Sequence, residues 1–250
     1  MKTIAKHREP AFAQACRSAR SRLVEAIDLI IIHNEKHVRG NQPRTVLNPM
    51  TVLLAVSAWE RLLTDLEGLQ SDTDWPGPEL YQSKTRGISW PDKAFPLITS
   101  VTNDLLPSEF DVVLFTGYTG KVPDEAIRSH GRSDELTSQL SAWIATRNGV
   151  AHHCLPQQAV KHESVWRSDA DGSNGLTIQA GAARACAALM VQLVDQVIRA
   201  VALTSGFSLR TSELLPSEWF ASESPAKLRG VENPGSLWGG TALARPAFGS

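Results

Sequence analysis

The chain has 250 residues, 42% of them hydrophobic and 20% charged, which is the balance of an ordinary globular protein. Its 25 basic and 26 acidic side chains leave a formal charge of −1, which excludes an extended basic platform for nucleic acid but allows a small cationic site. Three widely spaced cysteines give no disulfide framework, and the N-terminal stretch MKTIAKHREPAFAQ lacks the apolar core of a signal sequence. We therefore expect a cytoplasmic protein without membrane contact.

Two long helices are predicted first. Apolar residues at spacings of three and four predict an amphipathic helix over about residues 10–38. A second helix is predicted over about 50–68, and because its first half is apolar on nearly every side, we expect it at the centre of a bundle. Turn formers over 70–92 predict a loop, which is followed by short helices over about 93–105 and 107–115.

A clearer helix is predicted over about 133–150, with Ser133 as its N-terminal cap. Its apolar stripe consists of Leu136, Leu140, Trp143 and Ile144. Continuing this stripe by one turn leads to Arg147. Because an unpaired buried guanidinium costs about 3 kcal/mol or more, Arg147 must meet an anion, a cluster of carbonyl oxygens or a cleft.

The last third of the chain contains one hairpin, one helix and a tail. The segment ESVWRSDADGSNGLTIQ predicts a small β-hairpin near residues 163–178. The helix over about 180–204 is so apolar that it must be central in the fold or covered by another chain. Ser, Pro and Gly predominate over 206–250, which predicts a tail that is partly disordered or docks through Trp219, Phe220 and Trp238. We therefore divide the chain into a helical domain over 1–205 and this tail.

The segment ATRNGVAHHC places an arginine, an asparagine and two histidines within seven positions. Asn148 and His152 share a helix face, whereas Arg147 lies roughly 140° away from His152. A histidine can take the proton of a ribose 2′-hydroxyl, and an arginine can stabilise the charge that develops on phosphate. These residue types suit metal-independent cleavage of a phosphodiester. In the structural alternative, Arg147 pairs with an acidic neighbour and the histidines cap the helix.

The RNGVAH stretch resembles the motif of the HEPN superfamily, in which an arginine and a polar residue precede a histidine late in a helical bundle. Upstream, AWERLLTDL is similar to the second helix of ribonuclease-like HEPN branches, which contains an aromatic residue and a glutamate. The resemblance covers about residues 10–204. It implies an all-α bundle of about five main helices that forms a homodimer, with two motif copies facing each other in a composite cleft. Active members are metal-independent endoribonucleases, and many are toxins or antiviral-defence effectors.

Carried onto this chain, the resemblance makes Arg147 the phosphate-binding residue, Asn148 its polar partner and His152 the acid and base. His153 departs from the small residue of many relatives, and it either assists His152 or caps the helix. Glu60 either orients the site or pairs structurally with a neighbouring arginine. The last helix and the tail are expected to supply the dimer contact.

The expected partners are RNA, a second copy of the chain, and an antitoxin or regulatory protein. No metal or other cofactor is expected. Two alternatives to the enzyme stay open. The first is a non-catalytic HEPN-like module that binds RNA, a nucleotide or a partner protein through the same cleft. The second is a structural helical scaffold, in which Arg147 is satisfied inside its own chain.

Other patterns are weaker signals of function. The HHC stretch with His162 lacks the spacing of a metal site, and DADGSNG has Asn174 and Ala180 where a calcium loop needs a glycine and an acid. GYTGK lacks the spacing of a phosphate-binding loop. His33 and His37 share a helix face without the glutamate of the protease pattern, so we interpret them as solvated.

Overall fold

A computed structural model describes residues 4–34, 44–70, 111–117, 125–131, 133–151, 166–168, 176–220, 237–238, 241, 243 and 245. The helices are α1 (Glu9–Asn34), α2 (Arg44–Gln70), α3 (Asp134–Ala151) and α4 (Ala180–Ser205). The strands are β1 (Asp111–Gly117), β2 (Glu125–His130), β3 (Trp166–Ser168) and β4 (Leu176–Ile178). Since 75% of the interpretable region is helical, the prediction of a predominantly helical chain is confirmed.

Helices α1 and α2 form an antiparallel pair. Arg8, beside the start of α1, donates from Nη1 to the carbonyl oxygen of Leu69 at the end of α2, over 2.7 Å. The predicted apolar stripe of α1 is buried throughout and comprises Phe12, Cys16, Ala19, Leu23, Ile27, Ile30 and Ile31. Residues 35–38 of the predicted first helix lie outside the described residues, as do the predicted loop over 70–92, apart from Gln70, and the predicted helix over 93–105.

Helix α4 is the central helix of the fold. In its most apolar 18-residue stretch, 89% of the residues are buried inside the protein. Its end is capped by Gly206, whose positive φ of 65° and backbone N–H to Ala202 and Leu203 close the last turn. Its apolar surface over residues 180–202 is covered by its own chain, as one of the two sequence-based alternatives expects, and the expectation that this helix also supplies a dimer contact stays a prediction.

Helix α2 packs against α1, α3 and α4, yet only 50% of its most apolar stretch is buried. The prediction that it lies at the centre of a bundle is therefore correct for one side only. By length and composition, residues 46–69 and 180–205 could each cross a membrane, but a core helix of a soluble protein has the same properties. Burial explains the apolar composition of α4, whereas half of the most apolar stretch of α2 is not buried.

The predicted helix over 107–115 is wrong, since residues 111–117 form strand β1, paired antiparallel with β2 from Asp111 opposite His130. The sequence DVVLFTG is rich in β-branched and aromatic residues, which favour a strand. Two glutamines of α4 bind the other edge of β1. The side-chain amide of Gln196 accepts a hydrogen bond from the backbone N–H of Asp111 and donates one to its carbonyl oxygen, and Gln192 does the same at Val113.

The predicted hairpin near 163–178 is present. Strands β3 and β4 pair antiparallel, with Trp166 opposite Ile178. The end of β4 is attached to α2, because the buried Asn48 donates from Nδ2 to the carbonyl oxygen of Ile178 over 2.8 Å. Strand β4 is therefore followed almost directly by the first turn of the central helix α4, which begins at Ala180.

The described part of the predicted tail docks on the helical core. Phe207 packs on Phe12 with ring centroids 5.2 Å apart, and Trp219 and Trp238 are buried. The indole N–H of Trp238 donates to the carbonyl oxygen of Trp219 over 2.7 Å. Arg245 binds the buried carboxylate of Asp195 on α4. Docking was one of the two expectations for this segment, while the domain boundary at residue 205 stays a prediction.

Candidate functional site

Arg147 lies on α3 one turn before the last residue of the helix, Ala151, and its spacing predicts that it faces the protein interior. The helix begins as predicted, with Ser133 Oγ accepting the backbone N–H of Leu136 over 3.1 Å. The predicted stripe from Leu136 to Ile144 is buried, so the next position on that stripe also faces inward. The side chain of Arg147 retains 23% exposure and therefore lies between core and solvent.

The guanidinium of Arg147 meets the carboxylate of Glu60 on α2, with Nη2 in direct contact with Oε2. Glu60 is 17% exposed, and burial raises the pKa of this carboxyl more than the charge and hydrogen bond of Arg147 lower it. The Nε atom of Arg147 is buried and makes no hydrogen bond. Arg147 therefore pairs with an anion of its own chain, while its Nε has no hydrogen-bond partner among the described residues.

Asn148 is exposed on the outer face of α3, next to this ion pair along the chain. His152 and His153 lie outside the described residues, as do Cys154 and His162 of the weaker metal pattern. The structure therefore brings together Arg147 and Glu60, and it leaves the histidine half of the predicted site as a prediction.

The tryptophans next to these residues belong to the core. Trp59 and Trp143 are each 1% exposed, as expected for residues on the buried faces of α2 and α3. The indole N–H of Trp59 is buried and has no hydrogen-bond partner. Glu60 follows Trp59 on α2, and its own burial, with 17% exposure left, accounts for the desolvation of its carboxyl.

A second buried carboxyl on α2 was missed by the sequence analysis. Asp65 is fully buried and lies 3.0 Å from Nη2 of Arg61, with no well-aligned hydrogen bond to either oxygen. Burial raises the pKa of Asp65 to about 6. The sequence carries a signal for it, because an acid occurs among buried apolar residues at spacings of four, three and four. These residues are Ala58, Leu62, Asp65 and Leu69.

Within the part of the chain that the structure describes, no group of three or more His, Cys, Asp or Glu side chains is placed to hold a metal ion. The chemistry available from the described site residues is therefore that of a partly exposed arginine, its carboxylate partner and an exposed amide.

Comparison with known proteins gives no relative: no family model matches the chain, and no curated protein or solved structure shows significant similarity to it. The resemblance to the HEPN superfamily thus depends on the RNGVAH and AWERLLTDL stretches and on their order along the chain.

Proposed function

We propose that this chain is a metal-independent endoribonuclease of HEPN type, which cleaves unpaired RNA in a composite cleft formed by two copies. Unpaired RNA is the substrate because in-line attack needs a backbone that a duplex holds out of line, and because loops expose their bases. The biological role is that of a toxin or antiviral-defence effector, kept in check by an antitoxin or regulatory protein.

The contact between Arg147 and Glu60 is the observation that carries the proposal. The two stretches that resemble the superfamily lie on different helices, and this contact joins them. Helical spacing alone does not require the glutamate of α2 to meet the arginine of α3. Their meeting therefore supports a common role for the two stretches.

The state of the arginine supports a ligand beyond Glu60. Its side chain keeps 23% exposure, so part of the guanidinium is open to a ligand from solvent. The guanidinium fork suits phosphate, which offers several acceptor oxygens in a matching plane. Exposed Asn148 lies beside it and can reach the same ligand. The neutral overall charge fits a local anion site of this kind.

In the proposed reaction, His152 removes the proton of the ribose 2′-hydroxyl, and the 2′ oxygen forms a bond to phosphorus. The bond from phosphorus to the 5′ oxygen breaks, and that oxygen receives a proton, which leaves a 2′,3′-cyclic phosphate. Arg147 stabilises the negative charge on the phosphoryl oxygens, and Glu60 orients Arg147. Asn148 orients the imidazole or binds the phosphate. His153 either carries the second proton or caps α3.

The test is cleavage of mixed cellular RNA by the full chain in excess EDTA, with the product ends mapped. We expect EDTA-resistant cutting that leaves cyclic phosphates and falls by about 100-fold or more in Arg147→Ala and His152→Ala. Arg128→Ala is the matched control, because Arg128 also pairs with a carboxylate, that of Asp111, but does so at the surface. Folded Arg147→Ala and His152→Ala proteins that cut as fast as the parent would refute the proposal.

The same ion pair favours a second candidate, a module that binds RNA, a nucleotide or a partner protein without cutting. Glu60 already engages one nitrogen of Arg147, so an anion must compete with it or use the remaining donors. The scaffold interpretation also expects a partner for Arg147 within the chain, and Glu60 is such a partner. An enzyme is toxic on expression and tolerated once His152 is replaced, whereas a binding module or scaffold shows no such rescue.

A further inference from the structure

Two arginines on neighbouring helices share one buried carboxylate. Nη2 of Arg61 on α2 lies 3.0 Å from Oδ1 of Asp65, and the side chain of Arg61 keeps 25% exposure while that of Asp65 keeps none. The charge of Arg22 on α1 acts on the same carboxyl, since it lowers the pKa of Asp65. Arg22 is exposed. Two guanidinium groups therefore face solvent above one acid that solvent does not reach, and we name Arg22 and Arg61 the arginine site.

The shared acid occupies only a small part of the arginine site. An arginine carries five N–H donors, and the contact with Asp65 engages one nitrogen of Arg61. Two positive charges stand against one negative charge. Glu25, the next acid along α1, is exposed as well, but no ion pair joins it to Arg22 among the described residues. The site therefore offers donors and net positive charge to an anion from solution.

The contact between Arg61 and Asp65 does little to hold the fold together. Both residues lie on α2, four positions apart, so their ion pair joins no two elements. The ion pair of Arg17 and Glu213, in contrast, connects α1 to the segment after α4. Burial also raises the pKa of Asp65, so its charge is unfavourable for stability, and carboxyls of this kind are concentrated at functional sites. The effect of this charge is to hold the guanidinium of Arg61 in place at the surface.

The arginine site lies beside the contact between Glu60 and Arg147. Arg61 directly follows Glu60 on α2, and consecutive residues of a helix point about 100° apart. Glu60 reaches Arg147 of α3 on one side of the solvent-facing surface of α2. Arg61 lies on the other side, near Arg22 of α1. Because a helix with its side chains is about 10–12 Å across, roughly one helix width separates Arg61 from Arg147, a distance that a few nucleotides of single strand span.

We propose that the arginine site is a second phosphate-binding subsite, which holds a phosphate of an unpaired RNA strand whose scissile phosphate lies at Arg147. The guanidinium fork matches the acceptor oxygens of phosphate. Proteins that bind single strands place cationic groups along the path of the backbone, and two points of contact fix the direction in which the strand crosses α2. That the bound strand is the substrate rests on the proposed function, whereas the anion site itself does not.

The first test measures the affinity of the full chain for a 2′-O-methyl RNA strand of about ten nucleotides, which cannot be cut, by fluorescence anisotropy at several salt concentrations. We expect Arg22→Gln to weaken binding by about fivefold or more at low salt. The slope of log affinity against log salt should fall by roughly 0.7, the value for one lost phosphate contact. Arg22→Lys retains the charge and should retain the slope.

The matched control for this test is Arg210→Gln, because Arg210 is an exposed arginine in the segment after α4. It should bind the strand as the parent does. Since Arg22 is exposed, its replacement leaves the core intact. A parent that does not bind the strand, or an Arg22→Gln variant with the affinity and salt slope of the parent, overturns the proposal.

The second test removes Arg61 together with its acid. Arg61→Gln/Asp65→Asn replaces both charges with amides, so no buried carboxylate is left unpaired. The reference is Asp65→Asn, which keeps Arg61 and an acceptor oxygen for it. We expect the double variant to bind the same strand about fivefold or more weakly than this reference at low salt, because the guanidinium fork is lost. Equal affinities would show that Arg61 does not contact the strand and would contradict a two-arginine site.

Cleavage assays on the same proteins separate the two proposals. We expect Arg22→Gln to raise KM for the longer strand, in its unmodified form, with little change in kcat, and to leave cleavage of a dinucleotide unchanged. A parent that cuts RNA while Arg22→Gln binds the strand normally refutes the subsite alone. A parent that binds the strand through Arg22 and Arg61 but never cuts RNA refutes the endoribonuclease and leaves the anion site in place.

Discussion

Asp65 and Arg61 form an ion pair in which the acid is fully buried and only the base reaches solvent, with 3.0 Å between Oδ1 and Nη2. Neither carboxylate oxygen makes a well-aligned hydrogen bond. Burial raises the pKa of Asp65 to about 6, and the charges of Arg61 and Arg22 only partly oppose the increase. The fold therefore holds a carboxylate whose ionised form is less favourable than it would be in water.

Replacing Asp65 with Asn is expected to stabilise the protein by about 1–2 kcal/mol at pH 7 and to change little at pH 4. The pKa of Asp65 in the folded protein lies above its ordinary value of 3.8, so the contribution of the protonated acid to stability is complete below about pH 4 and is lost as the pH rises through about 6. Urea unfolding at both pH values measures this. Glu218→Gln, an exposed acid, is the control. An equal change at both pH values contradicts the prediction.

Gln192→Leu is expected to loosen strand β1, because it leaves the backbone N–H and carbonyl of Val113 without their side-chain partner. An unsatisfied buried backbone group costs about 1–3 kcal/mol. Hydrogen exchange at the Val113 amide should accelerate, and the unfolding midpoint in urea should fall. Gln14→Leu, on the exposed face of α1, should change neither. Unaltered exchange at Val113 would show that the glutamine contact does not hold the strand.

Arg245→Ala is expected to destabilise the protein by about 1–3 kcal/mol, since it removes one of the two arginines that neutralise buried Asp195. Arg199 remains and limits the loss. Thermal unfolding followed by circular dichroism measures the effect. Arg210→Ala, which removes an exposed arginine side chain, should leave the melting temperature unchanged. Equal melting temperatures for Arg245→Ala and the parent would mean that the C-terminal contact contributes nothing to stability.

Gly206→Ala is expected to cost about 1 kcal/mol, which lowers the melting temperature by about 2–4 °C. Gly206 adopts a φ of 65°, and a β-carbon there would meet no atom within 4 Å. The cost is therefore one of backbone conformation alone. Gly206→Asn should cost less, because asparagine tolerates the left-handed region better than alanine. An alanine variant as stable as the parent, or less stable only because of altered packing, would contradict this account.

The elements that could be predicted are those whose signal is local. Helix α3 begins at the capping residue Ser133 and buries the stripe that its spacing defines. The same spacing also predicts that the side chain of Arg147 faces the interior of the protein. The sequence predicts that Arg147 meets an anion, a cluster of carbonyl oxygens or a cleft, but it does not identify Glu60 as the partner, because helical periodicity fixes which side a residue faces and not which distant helix it meets.

The elements that could not be predicted depend on distant partners. The sequence predicts a helix over 107–115 where strand β1 forms. One edge of β1 is hydrogen-bonded by two glutamines of α4, and no local sequence pattern indicates that these distant residues are its partners. For α4 itself, composition left open whether its own chain or another covers it. Asp65 is different, because its spacing from Leu62 and Leu69 already places it on the buried face of α2.

The interlocking of the two ends of the chain sets the order in which the protein can be completed during synthesis. Lys6 donates to the carbonyl oxygen of Gly206, Glu9 accepts the backbone N–H of Ser208, and Arg17 pairs with Glu213. The residues in these pairs are separated by 200, 199 and 196 positions. Because the ribosome delivers the second partner last, the start of α1 stays without these contacts until most of the chain has emerged. The first of the described helices to be synthesised is thus among the last to gain all of its contacts.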